Sequence, residues 1–292
     1  MAHTHDHQNT GDIRVAFFLN LGFTIVEIIG GLWTNSAAIV ADALHDLGDS
    51  LSLGLAWFLE RYSNKGRDAT FSYGYRRFSL LGALVNAIVL VTGSVFVLAT
   101  AMPRILHPEP VNAAGMLGFA VAGIVVNGLA VLRVKKGKSL NAQVVTWHLL
   151  EDVLGWVAVL VVSIVMLFVD WYILDPTLSI LITVYVLYNV VRNLRKTLVL
   201  FLQGVPSTID MKQVEQRLQA IEGILSTHHT HLWSLDGEHN VLTTHVVVES
   251  QATKETMLRV KSAVLAIGEE LQCEHTTVEM EYEDEDCRLR TP

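Results

Sequence analysis

Long apolar stretches alternate with short polar breaks as far as about residue 204, after which the pattern changes. A hydrocarbon core of about 30 Å needs roughly 20 apolar helical residues to cross it. Six stretches meet that length: 13–33, 38–60, 78–101, 115–134, 143–169 and 173–199. The first is too long for the apolar region of a cleavable signal and has no basic segment before it, so it is expected to remain as a span. Further along, Asp210 is placed to cap a helix over about 211–222, with Val214, Leu218 and Ile221 at helical spacing. Two β-rich runs, 228–235 and 240–249, flank the hairpin signal Asp236-Gly237. An amphipathic helix (about 253–271) and a strand (about 275–283) complete an αββαβ order, which suits a three-stranded sheet covered by two helices.

Composition sharpens this division. Of 292 residues 51% are hydrophobic and only 17% charged, against about 25% charged in soluble domains. Residues 1–204 hold 14 Lys/Arg and 13 Asp/Glu, a net of +1, while 205–292 hold 7 and 16, a net of −9. The expected organisation is a tail (1–12), a six-span all-α membrane domain (13–204), a small α/β domain (205–283) and an acidic disordered tail (284–292). A nucleic-acid binder, which needs a basic surface, is excluded. Cys273 and Cys287 are too few for a disulfide framework and read as reduced cytosolic thiols. Arg61, Lys65, Arg67, Arg76 and Arg77 fall between spans 2 and 3, and Arg133, Lys135, Lys136 and Lys138 between spans 4 and 5. The opposite connections carry only Arg104. The positive-inside rule therefore puts both termini in the cytoplasm of a multi-pass protein of the inner (plasma) membrane.

Ionisable side chains inside a bilayer cost at least about 2.5–3.5 kcal/mol on insertion scales and mark function. Span 2 carries Asp42, His45, Asp46 and Asp49 at the i, i+3, i+4, i+7 spacing of one helix face, and span 5 carries His148, Glu151 and Asp152. Two His-x-x-x-Asp pairs, His45/Asp49 and His148/Asp152, supply two imidazoles and two carboxylates, a tetrahedral donor set suited to Zn²⁺. Asp42, Asp46, Glu151 and Glu27 are candidates for orienting the histidines or relaying protons. Asn20, Asn86 and Asn127 read as packing or hydrogen-bonding residues.

The run Ser36–Asp49, with Asp42, His45 and Asp49, resembles the signature of the cation diffusion facilitator family, as do His148-x-x-x-Asp152 and Asp175-Pro176. The tail segment from His231 through Trp233 and His239 resembles the cytoplasmic domain of that family's bacterial zinc/cadmium/cobalt exporters. The resemblance implies a homodimer of six-helix subunits exporting divalent metal in exchange for protons, with a ferredoxin-like cytoplasmic domain that helps dimerisation. It places His45, Asp49, His148 and Asp152 at the transport site, in the version associated with Zn²⁺. Zn²⁺ is thus expected as the transported ion and as a regulatory ligand, with Cd²⁺ or Co²⁺ as secondary substrates. His228 and His245 match the family's cytoplasmic metal site, and antiparallel neighbours would bring Glu279 to them. Between spans 2 and 3, where some members hold a second site, Asp68 is followed by Phe71 and Tyr75 in place of histidines, so no loop site is expected. The 4–5 connection is short and basic, and His3, His5 and His7 form the only His-rich segment near the start.

Ligands must be deprotonated to bind metal, so metal and protons compete for one site, and histidine titrates near pH 6.5. That chemistry suits an antiporter rather than an enzyme. Neither H-E-x-x-H nor a phosphate-binding loop occurs, so neither a metalloprotease nor a nucleotide-driven pump is expected. The alternatives are a metal-sensing or metal-buffering membrane protein, or a passive cation channel with rings of acids around its pore.

Overall fold

The computed structural model describes residues 6–63, 65–134 and 140–287. His3, His5, the basic connection 135–139 and the end from 288 lie outside the described residues, as does the side chain of His7. Six long helices come first: α1 (Asp6–Thr34), α2 (Ala37–Ser63), α3 (Phe78–Leu106), α4 (Ala113–Val134), α5 (Leu140–Phe168) and α6 (Leu174–Phe201). At 1.5 Å per residue even the 22-residue α4 is about 33 Å long. α1 begins at Asp6, ahead of the first apolar stretch.

By length and composition five of these helices can cross a membrane: α1, α3, α4, α5 and α6. α2 is as long, with 27 residues, but Asp42, Asp46, Asp49, Glu60 and Arg61 dilute its apolar character. Three of these acids, Asp42, Asp46 and Asp49, are the ones singled out from the polar face of this helix. Many apolar side chains of these helices point outward, Leu129, Val161 and Leu181 among them. A bilayer rather than water solvates such a surface.

The chain divides into two compact units, Met1–Leu59 with Gly82–Leu194, and Glu60–Leu81 with Arg195–Pro292. The core of the first contains Ala38, Ile39, Met116, Ala120, Trp156 and Val159, all buried. α4 and α5 approach closely there because Gly123 has no side chain. A Cβ at that position would lie 2.2 Å from the Trp156 indole.

The second unit contains the α/β fold: α7 (Met211–Gln219), β1 (Ser226–Ser234), β2 (Asn240–Val248), α8 (Lys254–Glu270) and β3 (Cys273–Tyr282). Asp210 caps α7, its carboxylate accepting from the Lys212 amide at 2.9 Å. β1 and β2 pair antiparallel through a five-residue loop, with Gly237 at φ 104° and Asp236 Oδ1 accepting from the amides of Glu238 and His239. β3 pairs with β2 in parallel, not antiparallel. The reason is α8: a crossover helix between two strands returns the chain in the same direction. Val246 and Val248 of β2 pack with Val214, Leu218, Val260 and Val264 under the two helices. By strand alternation, His245 then belongs to the opposite face.

Two further segments complete this unit. The chain beyond β3 turns back instead of fraying. Glu283 N donates to Val248 O at 3.0 Å, Ser250 Oγ donates to Asp284 at 2.8 Å, and Cys287 is buried. In the loop before α3, Asp68 accepts from the Tyr75 hydroxyl at 2.6 Å, the Lys65 ammonium at 3.1 Å and the amides of Thr70 and Phe71. These hydrogen bonds, that from Tyr75 first, hold its carboxyl far below the usual aspartate value. Arg76 of this loop pairs with Glu274 at 2.8 Å.

Candidate metal centre

α2 is positioned from its N-terminus. Asn35 adopts φ 56°, reversing the chain after α1, and Arg104 fixes it by donating to its carbonyl and side-chain oxygens at 3.0 and 2.8 Å. Asp175, fully buried in the first turn of α6, then takes up the exposed donors of α2. It accepts from Ser36 Oγ at 2.6 Å, Ala37 N at 2.7 Å and Ala38 N at 3.2 Å. An anionic carboxylate at the positive end of a helix dipole is favourable, and here it satisfies amides that have no partner within their own helix.

Two turns further on, α2 presents its polar face to α5. His45 Nε2 lies 3.9 Å from Asp49 Oδ2 and 4.0 Å from Asp152 Oδ1. Bonds of about 2.0–2.2 Å in a tetrahedral cage put neighbouring donor atoms about 3.4 Å apart. Each carboxylate therefore stands about half an ångström further from the imidazole than in a closed cage, and the three side chains are partly exposed. The α5 backbone carries His148 one turn before Asp152, and the His148 side chain lies outside the described residues. A narrow cavity beside His45 is bordered by Ser94 of α3 and Thr183 of α6.

Around this set, Glu27, Asp42 and Asp46 are all buried. Asp42 packs beside Gly155 of α5, where a Cβ would make ordinary contact with Asp42 Oδ1 at 3.6 Å. Glu151 goes elsewhere. It is exposed, and it accepts from the Tyr185 hydroxyl at 3.2 Å. Asn20 donates to Ser50 Oγ at 3.0 Å and to the Asp46 carbonyl at 3.2 Å, tying α1 to α2. Asn86 donates to Ser52 at 2.7 Å. Ser50 and Asp175 were not singled out as positioning residues by the polar-face argument. The signal for Asp175 was its place as an acid immediately before proline at the start of a span.

The second unit holds another group of donors, on the sheet face away from the helices. His228, His245 and Glu279 are consecutive partners across the three strands. Glu279 is largely exposed, 3.3 Å from His245 Nε2. Glu281, two residues on and buried, comes closer: 2.6 Å from His245 Nδ1 and 3.0 Å from His228 Nε2. Cys287 Sγ lies 3.8 Å from His245 Nδ1. One donor atom from each of His228, His245, Glu281 and Cys287 falls within 4.8 Å of all the others. Burial alone would raise the Glu281 carboxyl. The hydrogen bonds from His245 and the Cys287 thiol, with the nearby imidazoles, outweigh it and hold the carboxyl below its ordinary value. The alternation of β3 offered Glu281 as readily as Glu279, and only the turn after β3 decides between them. His239 sits at the hairpin, 2.7 Å from Asp236.

A bundle of long apolar helices with carboxylates and imidazole inside it, followed by a small α/β domain, defines a polytopic membrane protein of the transporter class. The cation efflux transmembrane domain family matches residues 13–202, and the cation efflux cytoplasmic domain family matches residues 206–283. The chain belongs to the cation efflux family. It is 32% identical over 290 residues to the zinc transporter ZitB of Pectobacterium atrosepticum, covering 97% of this chain and 90% of that protein. It is also 32% identical over 297 residues to the cadmium, cobalt and zinc/H(+)-K(+) antiporter of Bacillus subtilis (97% and 93%). A third relative, the metal cation efflux system protein CzcD of Cupriavidus metallidurans, is 30% identical over 283 residues (96% and 89%).

Proposed function

We propose that this protein exports divalent metal cations, foremost Zn²⁺, from the cytoplasm in exchange for protons. His45, Asp49, His148 and Asp152 form the site that carries the ion between α2 and α5. The observation that carries this reading is that Asp49 and Asp152, from α2 and α5 of a cation efflux protein, each lie within 4.0 Å of His45. The relatives named for zinc, cadmium and cobalt support the choice of ion. Nitrogen and oxygen donors accept Cd²⁺ and Co²⁺ as well, so these are secondary substrates.

The chemistry follows from competition. With His45 neutral and Asp49 and Asp152 ionised, the open cage captures the ion and contracts around it. On the other side, protons add to the same imidazole and carboxylates and expel the metal. Asp42, Asp46 and Glu27 lie buried beside the cage, where they orient its ligands or hand protons to them. Moving a dication out against an inside-negative potential costs about 4.6 kcal/mol per 100 mV, at about 2.3 per charge, and each entering proton returns about half of that. Both termini face the cytoplasm, and two subunits associate, consistent with the cytoplasmic-domain family match.

The test is zinc uptake into inside-out vesicles driven by a proton gradient. Asp49→Ala and Asp152→Ala are each expected to abolish it. Wild-type rates in either variant would remove the assignment.

A further inference from the structure

The loop before α3 carries five cations against one acid over residues 61–77, and only some of those charges are answered within the protein. Lys65 serves Asp68, while Arg76 pairs with Glu274 at 2.8 Å and stands 3.8 Å from Asp236. Arg77, the next residue, is half-buried, and its guanidinium makes no hydrogen bond or ion pair among the described residues. It lines a cavity of about 360 Å³. We infer that this cavity seats the phosphate-bearing headgroup of an anionic phospholipid, with Arg77 as counter-ion, so that a lipid ties the loop to the sheet of the second unit.

Three observations carry it. The first is charge. A cation partly withdrawn from water is costly without an anion, and the planar donor fork of arginine matches the oxygens of a phosphate. The second is the lining. Thr70, Ser72 and Gln203 also border the cavity, and their hydroxyls and side-chain amide have no hydrogen-bond partner among the described residues. Phe71 and Tyr73 of the loop, with Trp233 and Leu235 from the end of β1, give it apolar walls. Apolar and aromatic walls with a few polar groups, at a volume of about 300–1,000 Å³, are usual for a small-molecule site. The third is depth. Arg77 immediately precedes Phe78, where a segment long and apolar enough to cross a membrane begins. Basic side chains and aromatics gather at that level of a bilayer and meet the headgroups there.

The chemistry favours a lipid over a free anion. Phe71 and Tyr73 are exposed, and so is Leu202, the neighbour of Gln203, at 76%. Acyl chains would cover such a surface, whereas inorganic phosphate would leave it wet. Among the described residues no Asp or Glu lines the cavity, so a headgroup of net negative charge is preferred to a zwitterionic one. A bound headgroup touches the loop, the chain after α6 and the end of β1 together, and the anionic lipid content of the bilayer thereby acts on how firmly these three segments are joined.

The experiment uses the full chain purified in detergent, titrated with phosphatidylglycerol, phosphatidylcholine or inorganic phosphate and followed by native mass spectrometry, which tells a lipid adduct from phosphate by its mass. One phosphatidylglycerol per subunit is expected to bind in preference to phosphatidylcholine. Arg77→Gln should weaken it by about fivefold or more, the fold-change that one basic side chain contributes at an anionic surface. Arg67→Gln removes an exposed cation of the same loop that does not line the cavity, and should leave binding unchanged. Equal binding of the two lipids, unchanged binding in Arg77→Gln, or an equal loss in both variants overturns the inference. Displacement of the lipid by inorganic phosphate also overturns it, and makes the site one for a free anion. A second measurement needs no variant: phosphatidylglycerol should protect Arg77, and not Arg67, from an arginine-directed dicarbonyl reagent, as read by peptide mass. Equal labelling of Arg77 with and without the lipid counts against the site in the same way.

Discussion

At the scale of single residues, the proposed site distinguishes side chains that would hold the ion from those that position the helices carrying them. His45 Nε2 lies 3.9 Å from Asp49 and 4.0 Å from Asp152, so in the proposed site it stands between the two carboxylates. Replacing it by aspartate exchanges a nitrogen for a harder, anionic oxygen. The expected result is a changed Zn²⁺/Cd²⁺ transport ratio, measured by competition in vesicles, and an unchanged ratio would count against His45 as the discriminating ligand. Asp175 acts at a distance. Asp175→Ala leaves a buried hydroxyl and two amides of α2 without their acceptor, a loss of about 1–3 kcal/mol. It should lower the melting temperature in detergent and weaken zinc transport together. The i, i+3, i+4, i+7 run on α2 was readable from the chain because one element encodes it. The roles of Asp175, Glu281 and Cys287 were not, because each depends on where a distant segment arrives.

At the scale of elements, two contacts are decided by what a side chain lacks or replaces. Gly123 lets α4 rest against the Trp156 ring of α5. Gly123→Ala should force the fully buried indole aside at a cost of about 1–3 kcal/mol, the range for overpacking a core. Thermal unfolding followed by tryptophan fluorescence would show it. In the loop before α3, Lys65, Tyr75 and two backbone amides surround Asp68 and favour its ionised form. Since the folded value is depressed below the ordinary 3.8, this contribution to stability is complete above that value and is lost as pH falls through the folded one. Asp68→Asn should remove that acid sensitivity and leave the loop easier to cleave near neutrality than in the wild type, as measured by proteolysis of the loop at graded pH. Helix and strand order came through from periodicity alone. The direction of β3 did not: pattern fixes which residues share a face, while the crossover by α8 fixes the sense of pairing.

At the scale of the whole molecule, the uneven distribution of charge already separated a near-neutral apolar part from an acidic polar one. The two family matches divide the chain at nearly the same place, 13–202 and 206–283. Hydropathy selects five candidate spans among the described residues and leaves out α2, whose acids lower its apolar character. A carrier of this kind should move zinc only while a proton gradient lasts. Collapsing the pH difference across inside-out vesicles with a protonophore should halt net uptake at once, whereas a passive channel would continue down the zinc gradient.

The bond between the first turn of α6 and the start of α2 also constrains how such a carrier can open. Ser36, Ala37 and Ala38 are gripped by one carboxylate, so these two helix ends cannot part without stranding several dry polar atoms. They form a fixed pivot. Any swing of α6 against α2 must therefore be smallest at these two ends and grow with distance from them along the helices.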